Sequence, residues 1–385
     1  MPGWTKVDSL LVRTDACAGS DRVFGFDMDS TLIVTKSGKV FGTSRDDWKW
    51  FDASVPRKLA ELHKAGYKLV IFSNQGGIGG KGYDETKARM ICGKVDLLVA
   101  AAGVPVQAFL ATAEDQFRKP ATAMWDLMVS RFNDGVAPNL ADCHYVGDAA
   151  GRLAGWRAGA KKDFSCSDRK FAHNVGLTFH TPETYFMGLP EAKSFSWDGI
   201  NPAELLAKAG QGEVCEGGVG SIVRKGVLEL IIFVGSPASG KSTFAKKYLV
   251  PNGYVWVNRD TLKTPAKCQK AVHEALADGH SVVLDNTSPE EQTRREYIRL
   301  AKLYKARVRC FRFTTDHDTC LHLNMFRERQ SNGAQPHVPG IGFRLFKSRL
   351  AEPTLSEGFD EIKKIFFRMR DDMTDDERKL FAQFV

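Results

Sequence analysis

The sequence predicts an α/β chain of two domains, each folded around a parallel sheet. Three observations lead there. Short apolar runs of strand length alternate with helical stretches along residues 23–184, and the same alternation resumes after residue 226. Between them, KAGQGEVCEGGVG (residues 208–220) loses hydrophobic periodicity and fills with glycine. Finally, 385 residues exceed the roughly 100–200 that one hydrophobic core usually serves. The expected division is residues 1–205, a glycine-rich linker at 206–221, and residues 222–385.

In the first domain, VFGFD, YKLVIFSN, AFLAT and CHYVGD read as strands, and VPRKLAELHKAG as a helix. In the second, VLELIIFV is a continuous apolar run that stops at a glycine-rich loop before a stretch of helix formers. YVWVN, HSVVLDN and RVRCFRF continue the alternation, as crossover helices between parallel strands require.

With 43% hydrophobic and 26% charged residues the composition is that of a globular domain, and no apolar run approaches the roughly 20 residues of a membrane span, so no membrane anchor is expected. A formal net charge of +8 favours a polyanionic partner. The eight cysteines show no CxxC pair and no metal-ligand spacing, which points to a reducing compartment. The first twenty residues lack the apolar core of a secretory signal.

VFGFDMDSTLI ends a predicted strand with Asp27, Asp29 and Thr31 at two-residue spacing. Residues i and i+2 of a strand share a face, so both carboxylates can converge on one pocket, one to attack phosphorus and one to shuttle the proton. Acidic residues that merely solvate a loop are the competing reading. Against it, Ser73 ends the strand YKLVIFSN, FRKP supplies Lys119, and YVGDAAGR supplies Asp148: a hydroxyl and an ammonium for phosphate oxygens and a further carboxylate for magnesium. These four motifs, in this order, resemble the haloacid dehalogenase superfamily of phosphatases. That resemblance implies Asp27 as nucleophile, Asp29 as general acid and base, and Mg2+ on Asp27, Asp148 and the Asp29 backbone. Ser30 stands where glycine is common in this motif.

GSPASGKST (residues 235–243) fits GxxxxGK[ST] between a predicted strand and a helix, the context that gives a P-loop its meaning. Gly235, Ser236, Pro237, Ala238, Ser239, Gly240 and Thr243 belong to the loop that cradles ATP phosphates, with Lys241 on the outer phosphates and Ser242 on magnesium. A kinase also needs a base for its acceptor. Asp260, in VNRDTLK, is the candidate, and a helix N-cap is its competing role. Asp285 ends SVVLDNT and is assigned to magnesium or the acceptor, with a structural role left open. Arg327 and Arg329 lie on the probable helix LHLNMFRERQ, where a guanidinium can stabilise transferring charge or simply face solvent.

Both halves together resemble the eukaryotic polynucleotide kinase 3′-phosphatase family, through SGKVF, PRKL, GYKLVIF, RKP with MW, YVGDAAGR, KKDFSC, VNRDTL, DNT, FRER and EPTLSEGF. The resemblance implies a haloacid dehalogenase-like domain that removes 3′ phosphates and a P-loop kinase domain that phosphorylates 5′ hydroxyls. It implies Mg2+ and ATP, Asp260 as base, Arg327 as lid arginine and Asp285 at the acceptor. The partner expected is a DNA strand-break end met by a monomer in the nucleus, or alternatively the mitochondrion. Animal members carry an added phosphopeptide-binding (FHA) domain, and recruitment through one is not expected here, although other repair proteins remain candidate partners. Lys81, in GGIGGKG, is a candidate contact to the DNA backbone or part of a surface loop. The rival readings are a phosphatase fused to a metabolite kinase, and a DNA-end adaptor without turnover.

Overall fold

The computed structural model describes residues 3–14, 17–80, 82–331 and 333–385. Two compact units result, Met1–Asp198 together with Ala382–Val385, and Gly199–Phe381.

The strands of the first unit are β1 (Trp4–Val7), β2 (Leu10–Arg13), β3 (Val23–Phe26), β4 (Ile33–Val34), β5 (Lys49–Trp50), β6 (Lys68–Asn74), β7 (Gln107–Ala111), β8 (His144–Val146) and β9 (Thr178–His180). Among the described residues, seven form one sheet in the order β1-β2-β7-β6-β3-β8-β9. β3 lies between β6 and β8, parallel to both, with Phe26 opposite Ile71 and Val146. Its side chains alternate between two helical layers. Phe24 and Phe26 pack with Val55, Leu59, Ile91 and Val95 on one face, and Val23 packs with Met124, Trp125 and Phe171 on the other. Burial on both faces explains why the strand reads as a continuous apolar run.

The sheet is not wholly parallel, as the sequence reading had it. β1 and β2 form a hairpin whose Asp8 turns at φ +51°, and β2, the short buried run Leu10–Arg13, runs antiparallel to β7, so the hairpin closes that side of the sheet. β4 and β5 pair as a separate ribbon. The loop between them is held by Asp47, whose carboxylate accepts the Ser37 N–H at 2.8 Å, the Ser37 hydroxyl at 2.7 Å and the Thr43 N–H at 3.1 Å. These bonds, led by the Ser37 hydroxyl, hold the Asp47 carboxyl down at about 2. Val40 and Phe41, on the same loop, are left exposed.

The residues Ala382–Val385 dock on the helix Ser167–Val175. Asn174 brackets the Phe384 backbone, accepting its N–H at 2.8 Å and donating to its carbonyl at 2.9 Å, while the Phe384 ring stacks on Trp197 with centroids 4.3 Å apart. Lys170 Nζ donates to the Val385 carbonyl at 2.8 Å.

The second unit holds β10 (Glu229–Val234), β11 (Val255–Val257), β12 (Val282–Leu284), β13 (Arg307–Phe313) and β14 (Glu361–Ile365) in the order β11-β12-β10-β13-β14, parallel throughout. Glu229 is fully buried within the otherwise apolar β10, where its charge meets Arg309 of β13 at 3.1 Å. An unpaired charge there would be costly, so the two residues are needed together.

The expected linker at 206–221 is corrected by this packing. Val214 and Cys215 are buried with Ile231, Phe233 and Phe311, and the Glu216 and Phe366 amides bond across to Lys364 and Val214, covering the edge of β14. Glycine content suggested flexibility, but two apolar side chains and an open strand edge fix the segment in the second unit. Cys92, Cys143, Cys166, Cys215, Cys268, Cys310 and Cys320 form no disulfide among the described residues, and no described helix is long and apolar enough to cross a membrane.

Candidate active sites

In the first unit the catalytic candidates gather at the carboxyl ends of β3, β6 and β8, where open parallel sheets bind ligands. Asp27 follows β3 directly, and its N–H donates to the Val146 carbonyl at 2.9 Å. Lys119 Nζ is the hub of the site. It donates to Asp27 Oδ1, Tyr145 Oη and Asp168 Oδ1, each at 2.7 Å. The Lys119 backbone is itself fixed by Asn74 at the end of β6, which accepts its N–H at 2.9 Å and donates to its carbonyl at 3.1 Å.

Burial pushes Asp27 up to about 7, with Asp168 and then Asp29 adding to it against the pull of Lys119. Burial, then Asp168 and Asp27, likewise hold Asp148 well above the usual carboxylate range. For Lys119 burial acts downward, but Asp168 and Asp27 outweigh it and hold the ammonium above the ordinary lysine value. Among the described residues, carboxylate oxygens of Asp27, Asp148 and Asp168 lie within 4.8 Å of one another. Three carboxylates thus face one ammonium, and this surplus of buried negative charge on hard oxygen donors fits a divalent cation such as Mg2+.

Asp148 is oriented by Thr31, whose hydroxyl donates to its Oδ1 at 3.3 Å and accepts its N–H at 3.1 Å. Asp29 is exposed and reaches the site differently from the strand-face argument. β3 stops at Phe26, and the chain then turns through Ser30 at φ +62°, a left-handed conformation that favours glycine. Gln75 ties Asp29 into the group, its Nε2 donating to Asp29 Oδ2 at 2.8 Å and to Ser73 Oγ at 3.0 Å. Arg152 anchors a neighbouring loop: Nε donates to Asp163 Oδ2 at 2.8 Å and Nη2 to the Asp148 carbonyl at 3.3 Å, leaving the next residue, Phe164, fully exposed. Lys81 lies outside the described residues.

Sequence reasoning named Asp27, Asp29, Ser73, Lys119 and Asp148 but missed Asn74, Gln75, Tyr145 and Asp168. Three of these sit beside quoted motifs, in SNQ and YVGD. Asp168, at the start of a helix 49 residues from Lys119, carries no local signal.

In the second unit, β10 ends in the loop 235–240, and the chain turns into the helix Lys241–Phe244 through Gly240 at φ +91°. A Cβ on Gly235 would meet Phe313 Cβ at 2.7 Å and Ser239 Oγ at 2.9 Å, so the loop can start this close to β13 only with glycine. Lys241 Nζ lies back on the loop, donating to the Ser236 carbonyl at 2.6 Å and the Gly235 carbonyl at 3.1 Å. Burial pulls its ammonium down to about 8, while Asp285 and Asp260 oppose the fall and Arg327 adds to it. Asp285, Asp260 and Arg327 therefore each lie close enough to act on Lys241. Ser242 and Thr243 are exposed at the helix start.

Asp260 is not the helix cap. Asn258 takes that role, its Oδ1 accepting the N–H groups of Asp260 at 2.9 Å and Thr261 at 3.2 Å, which leaves the exposed Asp260 carboxylate without a hydrogen bond among the described residues. Asp285 is buried beyond β12, with Oδ2 accepting Trp256 Nε1 at 3.0 Å and Oδ1 left unpartnered. An orphaned buried acceptor beside the P-loop lysine also suits a cation or a hydroxyl donor. Arg327, on the helix His317–Gln330, donates from Nη2 to Asn324 Oδ1 at 3.3 Å and the Pro336 carbonyl at 3.4 Å.

Residues 22–186 match the family model described as polynucleotide kinase 3 phosphatase, and residues 230–353 the model described as an AAA domain. A bifunctional polynucleotide phosphatase/kinase of Schizosaccharomyces pombe is 35% identical over 376 residues, spanning 97% of this chain and 86% of that protein. A putative bifunctional polynucleotide phosphatase/kinase of Acanthamoeba polyphaga mimivirus is 33% identical over 92% of this chain and 87% of its own length. The polynucleotide 3′-phosphatase ZDP of Arabidopsis thaliana is 36% identical over 49% of this chain and 27% of its own length. The first unit thus has the haloacid dehalogenase-type phosphatase fold and the second the P-loop kinase fold, as the sequence predicted. With near full-length similarity across both units, the chain belongs to the bifunctional polynucleotide phosphatase/kinase family of enzymes.

Proposed function

We propose that the first unit hydrolyses 3′-phosphate ends of DNA through an aspartyl-phosphate and that the second transfers the outer phosphate of ATP to 5′-hydroxyl ends. The observation that carries this reading is the buried contact of Asp27 Oδ1 with Lys119 Nζ at 2.7 Å, at the carboxyl end of the central parallel strand. Asp27 Oδ attacks phosphorus and the bond from phosphorus to O3′ breaks, with Asp29 giving its proton to the leaving oxygen. Asp29 then takes a proton from water, which attacks the phosphoryl group and releases Asp27. Lys119 and Ser73 hold the phosphate oxygens as charge builds on them. Asp27 and Asp148 would hold Mg2+, which would supply charge neutralisation for an incoming phosphate dianion.

In the second unit Asp260 accepts the proton of the 5′ hydroxyl, and the freed oxygen attacks the outer phosphorus of ATP as the bridging bond to ADP breaks. Lys241 and Arg327 balance the developing charge, Ser242 is the magnesium ligand, and Asp285 offers its unpartnered oxygen to the metal or the acceptor. The exposed rings of Phe41 and Phe164, the latter on a loop that Arg152 ties to the Asp148 carbonyl, suit stacking with bases of a single strand. The products, a 3′ hydroxyl and a 5′ phosphate, are the ends that ligation needs, which supports a role in strand-break repair in the nucleus, with the mitochondrion as the alternative compartment.

The test is end analysis of a nicked duplex bearing a 3′ phosphate and a 5′ hydroxyl, incubated with Mg2+ with and without ATP. The 3′ phosphate is expected to disappear in both reactions and a 5′ phosphate to form only with ATP. Unchanged ends alongside turnover of free nucleotides or sugar phosphates would overturn the substrate assignment.

A further inference from the structure

We infer that Asp168 is a positioning residue of the phosphatase site, holding the Lys119 ammonium on Asp27 rather than binding the metal; the inference rests on reading Asp27 as the nucleophile. Asp168 opens the helix Ser167–Val175 and is 2% exposed. Its Oδ1 accepts from Lys119 Nζ at 2.7 Å and from Tyr145 Oη at 3.2 Å, and its Oδ2 accepts the Ala149 N–H at 3.0 Å. Both oxygens are therefore occupied by protein donors.

A lysine ammonium has three N–H donors on a flexible four-carbon stem. The contacts with Asp27, Tyr145 and Asp168 use all three. The single Tyr145 hydroxyl proton is shared between two acceptors, Asp168 Oδ1 and the Phe72 carbonyl, each at 3.2 Å. With two donors fixed by Asp168 and Tyr145, the third has one direction left, toward Asp27, where a phosphate oxygen must also arrive. The backbone is shaped for this arrangement: a Cβ on Gly147 would lie 2.5 Å from the Asp168 carboxylate, so glycine lets the side chain pack against the strand end that leads into Asp148.

The competing role is metal ligation, because Asp168 lies within the same 4.8 Å cluster as Asp27 and Asp148. The two roles separate by experiment. In the full chain, Asp168→Asn removes the charge that holds Lys119 while keeping side-chain volume, and Tyr145→Phe removes one of the three ammonium contacts. Phosphate release from a 3′-phosphorylated oligonucleotide is followed as kcat and KM across a Mg2+ titration, and Mg2+ binding alone is measured by calorimetry. A positioning role lowers kcat of Asp168→Asn by roughly 10- to 100-fold, the usual loss when a supporting partner of a site residue is removed. It leaves KM, the Mg2+ midpoint and Mg2+ binding close to wild type, and gives Tyr145→Phe a smaller loss of the same kind. Recovery at high Mg2+, loss of Mg2+ binding, or an undiminished kcat would each overturn the inference. A wild-type chain that frees no phosphate sinks the phosphatase reading as well, whereas an active wild type with an equally active Asp168→Asn variant sinks this inference alone.

Discussion

Asn258 grips Asp285 from the end of the neighbouring strand, its Nδ2 donating to the Asp285 carbonyl at 2.8 Å and to Oδ2 at 3.2 Å. The same side chain caps the short helix that carries Asp260. One buried amide therefore sets both the proposed base and the carboxylate that acts most on the P-loop lysine. Asn258→Ala is expected to cost about 1–2 kcal/mol of stability in the second unit through the lost cap. It should also lower kinase turnover roughly tenfold or more while phosphate release stays unchanged. Equal loss of both activities would point to general misfolding.

Separate sites make separable variants. Asp27→Asn should reduce phosphate release by at least about 10³-fold with the kinase intact, since no other group replaces a lost nucleophile. Lys241→Ala should do the reverse. Both reactions are read from one gel, and a joint loss in either variant would contradict independent chemistry.

The depressed Lys241 pKa predicts a proton effect. Burial lowers it to about 8 from an ordinary value of 10.5, so between those values the folded chain binds fewer protons than the unfolded one. The contribution of this residue to stability accordingly rises with pH through that window and is least below about pH 8. A bound polyphosphate restores the charge, so ATP binding should take up a fraction of a proton at pH 8.5 and a smaller one at pH 7. Calorimetry in buffers of different ionisation enthalpy measures the uptake; none at pH 8.5 would show that Lys241 is already charged.

Phe41 and Phe164 expose their rings on loops tied back by Asp47 and Arg152. Replacing either by alanine should weaken single-stranded oligonucleotide binding by about 1–3 kcal/mol, the usual worth of one stacked base. Hydrolysis of a small aryl phosphate should be unaffected. Equal losses on both substrates would mean that the rings support the fold instead.

Ser30 adopts φ +62° in the turn after Asp27. A left-handed non-glycine residue costs about 1–2 kcal/mol, so Ser30→Gly should raise the melting temperature of the first unit by roughly 2–8 °C. Scanning calorimetry of the two proteins decides it.

The strand that carries Ser73 and those that lead into Asp27 and the P-loop were legible because sheets buried on both faces demand continuous apolar runs, and KLVIFSN, VFGF and LIIFV supply them. The P-loop was legible because its glycines answer a backbone need at a fixed place. Asp168 and Asn258 were not, since an aspartate at a helix start and an asparagine before one look like ordinary surface residues until the fold buries them. The glycine-rich run at 208–220 misled for the opposite reason. Its composition described local freedom, but the buried Val214 and Cys215 are fixed by neighbours distant in sequence.

The docking of Ala382–Val385 on the helix that begins at Ser167 has a consequence for how the protein is made. A ribosome delivers the whole second unit before it delivers Phe384, so the phosphatase unit emerges first and is finished last. Trp197 can meet His173 and Phe195 at once, but its stacked partner Phe384 arrives only after the synthesis of nearly half the chain. A gene cut after Asp198 would encode a first unit that lacks its own final piece.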